Sequence, residues 1–293
     1  MSLHDAIARA VTQATGDVFK ISARRPVSGG SINTTEVLEG SGKKFFVKLN
    51  TAARLAMFEA ETEGLAEIAS SKSVCVPQPV CSGTHGGQAF LVLEYLDLSR
   101  PSKNSDQLLG HQLAAMHHNT RTRFGWHRAN TIGSTPQINT EENDWLIFYR
   151  KQRLLYQLEL AAGNSHDGKL LRRGELLLEK IPVFFASYQP LPSLLHGDLW
   201  GGNHAALHDG TPVIFDPAVY FGDREADLAM TELFGGFGED FYAAYREAWP
   251  LDSGYRVRRD LYNLYHVLNH LNLFGGGYRA QAEQLIERCL SEA

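Results

Sequence analysis

The sequence predicts an α+β fold of two lobes, with a small antiparallel β-sheet lobe and one internal helix over residues 1–97, and a larger, mostly helical lobe over residues 98–293. Three observations carry this. Runs rich in β-branched and aromatic residues crowd the first third of the chain. From about Ser99 onward helical periodicity dominates. That periodicity is interrupted once, by short β-like runs around 194 to 216. The stretch LEYLDL joins the two parts, which places a cleft at the joint.

Residues 2 to 15 read as an amphipathic helix: Ser2 and Asp5 have capping-box spacing, Leu3, Ile7, Ala10, Val11 and Ala14 form one stripe, and Gly16 ends it. Strands follow in VFKISARRPV, INTTEVLE and KFFVKL, with GSG at 40 to 42 as the hairpin signal between the last two. ARLAMFEAETEGLAEIAS is a helix, and after the proline-marked VPQP one further strand is expected in AFLVLEYL. Helices are expected over 104–119, 143–162, 168–188, 223–234, 238–248, 254–274 and 278–291. No internal repeat or low-complexity tract is present.

The 293 residues, 43% hydrophobic, suffice for a real core. Lys and Arg number 28 against 33 Asp and Glu, a formal charge of −5 with no basic run, so nucleic acid is not an expected partner. No apolar run is long enough to span a bilayer, and the first residues lack a signal-peptide pattern, so a cytoplasmic protein is expected. Cys75, Cys81 and Cys289 are odd in number and lack metal-type pairing.

Four features point to one chemistry. The loop VSGGSIN, residues 27 to 33, lies between two strands, where Gly29, Gly30 and Ser31 let backbone amides cover phosphate oxygens. Taken alone, it reads more readily as a hairpin needing positive φ. The second feature is Lys48: strand alternation sends Phe45, Val47 and Leu49 one way and Phe46 and Lys48 the other. In the helix that follows, Leu55, Phe58, Leu65 and Ile68 form the buried stripe. At 100° per residue Glu61 lies about 50° from its centre, against about 110° and 150° for Glu59 and Glu63. Glu61 is therefore the carboxylate that faces inward and seeks a cation, which Lys48 supplies while aiming at α/β-phosphates.

The third feature is HGDLWGGN, residues 196 to 203, where Asp198 and Asn203 have the D-x-x-x-x-N spacing of a kinase-type catalytic loop. The fourth is Asp216 in FDPA, thirteen residues beyond Asn203, enough for a short hairpin that returns a second carboxylate to the same point. Phosphoryl transfer needs an acid at the acceptor hydroxyl and oxygen ligands for Mg²⁺, which gives Asp198 the base and Asn203 and Asp216 the metal. His196 is expected to orient the loop. Asp223 can cap the next helix, leaving no room for a long activation segment, so the acceptor is expected to be small or a small group on something larger.

HGDLWGGN, FDPAVYFGDREADLAM and FGGF, with FGWHRANTIGSTPQ and NDWLIFYRKQRLLYQLELA upstream, resemble the fructosamine-3-kinase (ketosamine kinase) family, within the aminoglycoside and choline kinase-like fold. The resemblance runs from SGGSIN to the last helices. It implies a protein-kinase-like two-lobed fold and ATP-dependent, Mg²⁺-dependent phosphorylation of the sugar 3-hydroxyl of a fructosamine or ribulosamine. The phosphorylated adduct then falls apart, a deglycation activity on a free or protein-bound ketoamine. By the same resemblance the backbone of Glu94, Tyr95 and Leu96 receives adenine. Trp200, Asn130, Trp145 and Tyr220 belong to blocks expected to border the acceptor, although Trp145 and Tyr220 suit a core equally well. His111, His117 and His118 read as surface or packed histidines, and Glu225 and Asp227 as braces below the loop or as helix-dipole acids. The family often has serine where Gly201 stands, which here is expected to loosen the loop slightly, and many members have cysteine where Ser31 stands. A kinase of another small hydroxyl compound, of the aminoglycoside, choline or thiosugar type, and a nucleotide-binding protein without turnover are the alternatives.

Overall fold

The computed structural model describes residues 1–27, 32–164 and 168–293. Gly29, Gly30 and Ser31 of the expected phosphate cover lie outside the described residues.

Ser2 and Asp5 exchange the two bonds of a capping box at the start of α1 (Leu3–Thr15), and Gly16, at φ +77°, ends it. Ile7 and Val11 of α1 pack on one face of an antiparallel sheet. The sheet comprises β1 (Ile21–Val27), β2 (Thr34–Gly40), β3 (Lys43–Thr51), β4 (Pro79–His85) and β5 (Gln88–Glu94), in the order β1-β2-β3-β5-β4. Ser41 and Gly42, both at positive φ, make the tight turn between β2 and β3. Phe45, Val47 and Leu49 join Ile7 and Val11 under the sheet, which leaves Phe46 and Lys48 on the face covered by α2 (Leu55–Ser70). Strand β4 was not expected from the sequence: its PVCSGTH has little of the β-branched, aromatic character that marks strands, and its pairing to β5 carries a bulge near Pro79.

Next along the chain are β6 (Leu98–Ser99) and α3 (Lys103–His117), followed by the ribbon β7 (Asn130–Ile132) and β8 (Thr135–Gln137). The helix expected over 143–162 is three pieces, α4 (Trp145–Tyr149), a π-helical segment Arg150–Leu155 and α5 (Tyr156–Gly163). The wider turns accompany a fully buried Arg153, whose guanidinium donates to the Ile138 carbonyl and to Asn139 Oδ1. Helix α6 (Gly168–Lys180) stops short of 188 in a 3₁₀ turn, Ile181–Phe185, where Pro182 lacks the amide a continuing helix needs.

Next come β9 (Ser193–Leu195), β10 (His204–Leu207), β11 (Pro212–Ile214) and β12 (Tyr220–Gly222). Strand β9 pairs with β12, and β10 pairs with both β11 and β6. The chain closes with α7 (Glu225–Leu233), α8 (Glu239–Ala248), α9 (Tyr255–Phe274) and α10 (Tyr278–Ser291). The cap of α7 falls on Arg224, and the Asp223 carboxylate still accepts the Glu225 amide at its start. One apolar cluster runs from Phe58, Leu65 and Ile68 of α2 to Leu264 and Leu268 of α9, so α2 shares its core with the large lobe. No helix among the described residues is long and apolar enough to cross a membrane.

Candidate active site

A cleft of about 1040 Å³ opens between the lobes and is lined by Lys48, Glu61, Asp198, Asn203 and Asp216. Lys48 is buried, 4% exposed, and its Nζ donates to Glu61 Oε1 and to Asp216 Oδ1, each at 2.5 Å. Burial alone would lower the Lys48 pKa, but the charges of Asp216 and Glu61 outweigh it and raise it above the ordinary lysine value. Burial also pushes the Glu61 carboxyl up, against the pull of Lys48. Glu59 and Glu63 point elsewhere, to Arg128, as their angles on the helix require.

The catalytic-loop candidate is positioned from three sides. His196 is fully buried; its Nε2 meets the Phe215 carbonyl at 2.9 Å and its Nδ1 accepts the Asp198 amide at 3.2 Å. Burial lowers its pKa, so the ring stays neutral and orients the loop. Beneath it, the Asp227 carboxylate accepts the amides of His196 at 2.7 Å and Gly197 at 2.8 Å, and His117 Nε2 approaches the same carboxylate at 3.2 Å. Burial would raise the Asp227 pKa, but the His117 hydrogen bond and the neighbouring donors hold it below the ordinary carboxylate value. Of the two braces expected, Asp227 fills the role. Glu225 instead forms a two-bond pair with the buried Arg258.

The β10–β11 hairpin explains the thirteen-residue spacing. His204 pairs with Ile214, and the Phe215 amide bonds the Asn203 carbonyl, which brings Asn203 and Asp216 together at the hairpin's open end. Asp216 holds φ +58°, a left-handed conformation uncommon outside glycine. Asn203 spends its Nδ2 on the Asp198 carbonyl at 2.9 Å, with the Asp198 carboxylate at 3.5 Å, which leaves its amide oxygen for a cation. Asp216 gives one oxygen to Lys48 and keeps the other. Two hard oxygens of this kind suit Mg²⁺ completed by substrate phosphates. The Asp198 carboxyl is pushed up to about 7, first by burial and then by the charges of Asp216 and Asp227, against the Asn203 hydrogen bond.

Glu94 and Leu96 line the cleft where β5 leads into β6, and the Glu94 side chain accepts the Gln78 amide at 2.8 Å. Trp200 is 40% exposed on the cleft wall, edge-on to Phe234. Asn130 borders the cleft, yet its amide is engaged: Nδ2 donates to the Val219 carbonyl while Oδ1 accepts from Gln137 and Asn139. Trp145 and Tyr220 are a correction. Both are 3% exposed and neither lines the cleft. Trp145 stacks on Phe148 and Tyr149 and donates to Tyr262, and Tyr220 lies against Phe148 and the Arg153 guanidinium. Their large apolar surfaces made a better core than a wall.

The sequence reads His117 as a surface or packed histidine; it is packed, as its place on the Leu109 and Leu113 stripe of α3 requires, and what the sequence did not show is its contact with Asp227 under the loop. Sequence reasoning also missed the cleft residues on the last two helices, His270, Phe274 and Tyr278. These rings pack around one another beside Phe234, and the helical pattern of 254–291 says nothing of a cleft.

The profile of the fructosamine kinase family matches residues 3–292. The chain belongs to the fructosamine kinase family. Among its relatives, a probable ketoamine kinase of Synechocystis sp. is 47% identical, covering 97% of this chain and 96% of the relative. The chloroplastic protein-ribulosamine 3-kinase of Arabidopsis thaliana is 42% identical over 93% and 84% of the two chains. The crystal structure of a putative fructosamine-3-kinase from Haemophilus somnus superposes with a TM-score of 0.89 at 27% identity over 97% and 96% of the chains. An aminoglycoside phosphotransferase superposes with a TM-score of 0.66 at 12% identity over 99% and 98% of the chains, which shows that the two-lobed kinase-like fold is shared. Within the family, the glycine at 201 is a further correction. A Cβ there would lie 2.8 Å from the Gly235 carbonyl oxygen, so Gly201 lets the 196–203 loop pack tightly on the FGGF segment rather than loosening it.

Proposed function

We propose that this protein is an ATP-dependent kinase that phosphorylates the sugar 3-hydroxyl of ketoamines, free or protein-bound. The observation that carries the reading is the convergence, in one interlobe cleft, of Lys48, Glu61 and Asp216 with Asp198 and Asn203. Lys48, fixed by Glu61, meets the α- and β-phosphates of ATP. Gly29, Gly30 and Ser31 cover the phosphates, and the backbone of Glu94 and Leu96 receives adenine. Asn203 and the free oxygen of Asp216 hold Mg²⁺, which when bound neutralises charge on the phosphate oxygens. Asp198 takes the proton of the acceptor hydroxyl as its oxygen attacks the γ-phosphorus, and ADP leaves with the bond's electrons. A carboxyl that titrates near 7 is matched to that task at neutral pH. Trp200 forms the acceptor-side wall, where an aromatic face suits a sugar amine.

The test is ³¹P NMR of the products from ribulosyl-lysine and from fructosyl-lysine, each with Mg-ATP. Coupling of phosphorus to the proton on C3 supports the reading; phosphate on another hydroxyl, or no ketoamine phosphate, overturns it.

A further inference from the structure

The outer face of α2 is tied to the large lobe by a row of charges. Glu59, Glu63 and Glu67 recur every four residues and so form one stripe along the helix. Each meets a cation from the segment that runs from α3 to β7. Arg128 pairs with Glu63 and reaches Glu59 at 3.9 Å, His127 Nε2 meets Glu63 Oε2 at 2.7 Å, and Arg121 Nη2 donates to both oxygens of Glu67 at 2.9 and 3.0 Å. Trp126 Nε1 adds a bond to Glu67 at 3.3 Å, and Arg54, just before α2, donates to the Ser134 carbonyl. On the inner side Gly64 leaves so little room that a Cβ would meet Val219 Cγ2 at 3.2 Å. Helix α2 is thus held between the 121–134 segment and the 217–219 segment, both in the large lobe, while Glu61 on the same helix reaches across to Lys48 of the sheet.

We infer that Arg128 and Arg121 are positioning residues for nucleotide binding: through Glu63 and Glu67 they fix α2, and with it Glu61, so that the Lys48–Glu61 pair stands ready before ATP arrives. The inference rests on the proposed role of Lys48 at the nucleotide phosphates. The pairs at Glu63 and Arg128 are part-exposed, so each contributes modestly and reversal of one charge is the perturbation that moves α2.

The experiment uses the full chain with Arg128→Glu, Glu63→Arg, the double variant Arg128→Glu/Glu63→Arg, and Lys48→Ala beside them. Steady-state kinetics are read for both substrates, and Mg-ATP binding is read without acceptor by calorimetry. Each single reversal is expected to raise KM and Kd for ATP about fivefold, the upper end for an exposed pair, with the ketoamine KM unchanged. The double variant, which restores the pair with its charges exchanged, is expected to recover most of that loss; a merely structural defect would lower Tm and leave the KM and Kd for ATP of the folded protein unchanged. The inference is overturned if the single variants bind ATP as the wild type does, or if the double variant carries the sum of both losses. Lys48→Ala separates the two levels. ATP binding unchanged in that variant removes the role of Lys48 itself, whereas loss there with unaffected clamp variants removes the clamp alone.

Discussion

Replacing Asp198 by Asn should abolish turnover and, above neutral pH, make the protein more stable. The carboxyl titrates near 7 in the folded chain against 3.8 for an ordinary aspartate, because burial and the charges of Asp216 and Asp227 disfavour its ionised form. Between those two pH values the folded state holds a proton that the unfolded state has released, so stability falls as pH rises through that window and the full penalty applies above about 7. The difference between 3.8 and about 7 bounds the penalty at about 4 kcal/mol. Asp198 is partly open to the cleft. Solvent screening there reduces the expected penalty to about 1–2 kcal/mol, or roughly 2–6 °C in Tm for a chain of this size. The assay is differential scanning fluorimetry of wild type and Asp198→Asn, without nucleotide and with EDTA, at pH 5, 7 and 8.5. At pH 5 the unfolded carboxyl has ionised while the folded one keeps its proton, so only part of the penalty has accrued; by pH 8.5 all of it has, and the variant's Tm should have gained on the wild type. A Tm difference that does not change between pH 5 and 8.5 would refute the claim that Asp198 is a strained, raised carboxyl.

Asp227→Asn replaces one of the two oxygens that hold the His196 and Gly197 amides; kcat should fall about 100-fold while KM for ATP stays within about threefold, since the loss is of loop placement. Trp145→Phe removes the bond to Tyr262 and leaves a cavity, which should cost about 1–3 kcal/mol in urea unfolding with kcat/KM unchanged. A tenfold drop in kcat/KM at unchanged stability would instead put Trp145 in the acceptor site. EDTA should stop turnover and Mg²⁺ restore it, and Asn203→Ala should raise the Mg²⁺ concentration for half activity by about tenfold or more. An unchanged Mg²⁺ requirement in that variant would exclude Asn203 as a ligand.

Much of the site was legible because its residues sit on elements whose periodicity is strict. Alternation in β3 and the 100° step in α2 were enough to bring Lys48 and Glu61 together, and a hairpin length was enough to return Asp216 to Asn203. What failed was of another kind. Trp145 and Tyr220 sit near cleft motifs in sequence, but a large aromatic side chain can turn either way at a helix start or in a short strand, and the choice depends on Arg153 and Tyr262, which come from distant segments. The fit of Gly201 against Gly235 and Gly236 depends on a tertiary contact more than thirty residues away, and nothing in the local sequence encodes it. Strand β4 exists because β5 offers an edge, not because its own residues favour a strand.

The most direct measurement is ADP release from Mg-ATP over a panel of ribulosyl-lysine, fructosyl-lysine, erythrulosyl-lysine, choline and an aminoglycoside, with Asp198→Asn run in parallel. Turnover confined to ketoamines and lost in the variant is the predicted result. Turnover on choline or the aminoglycoside with silence on every ketoamine, or a ketoamine rate untouched in Asp198→Asn, would contradict it.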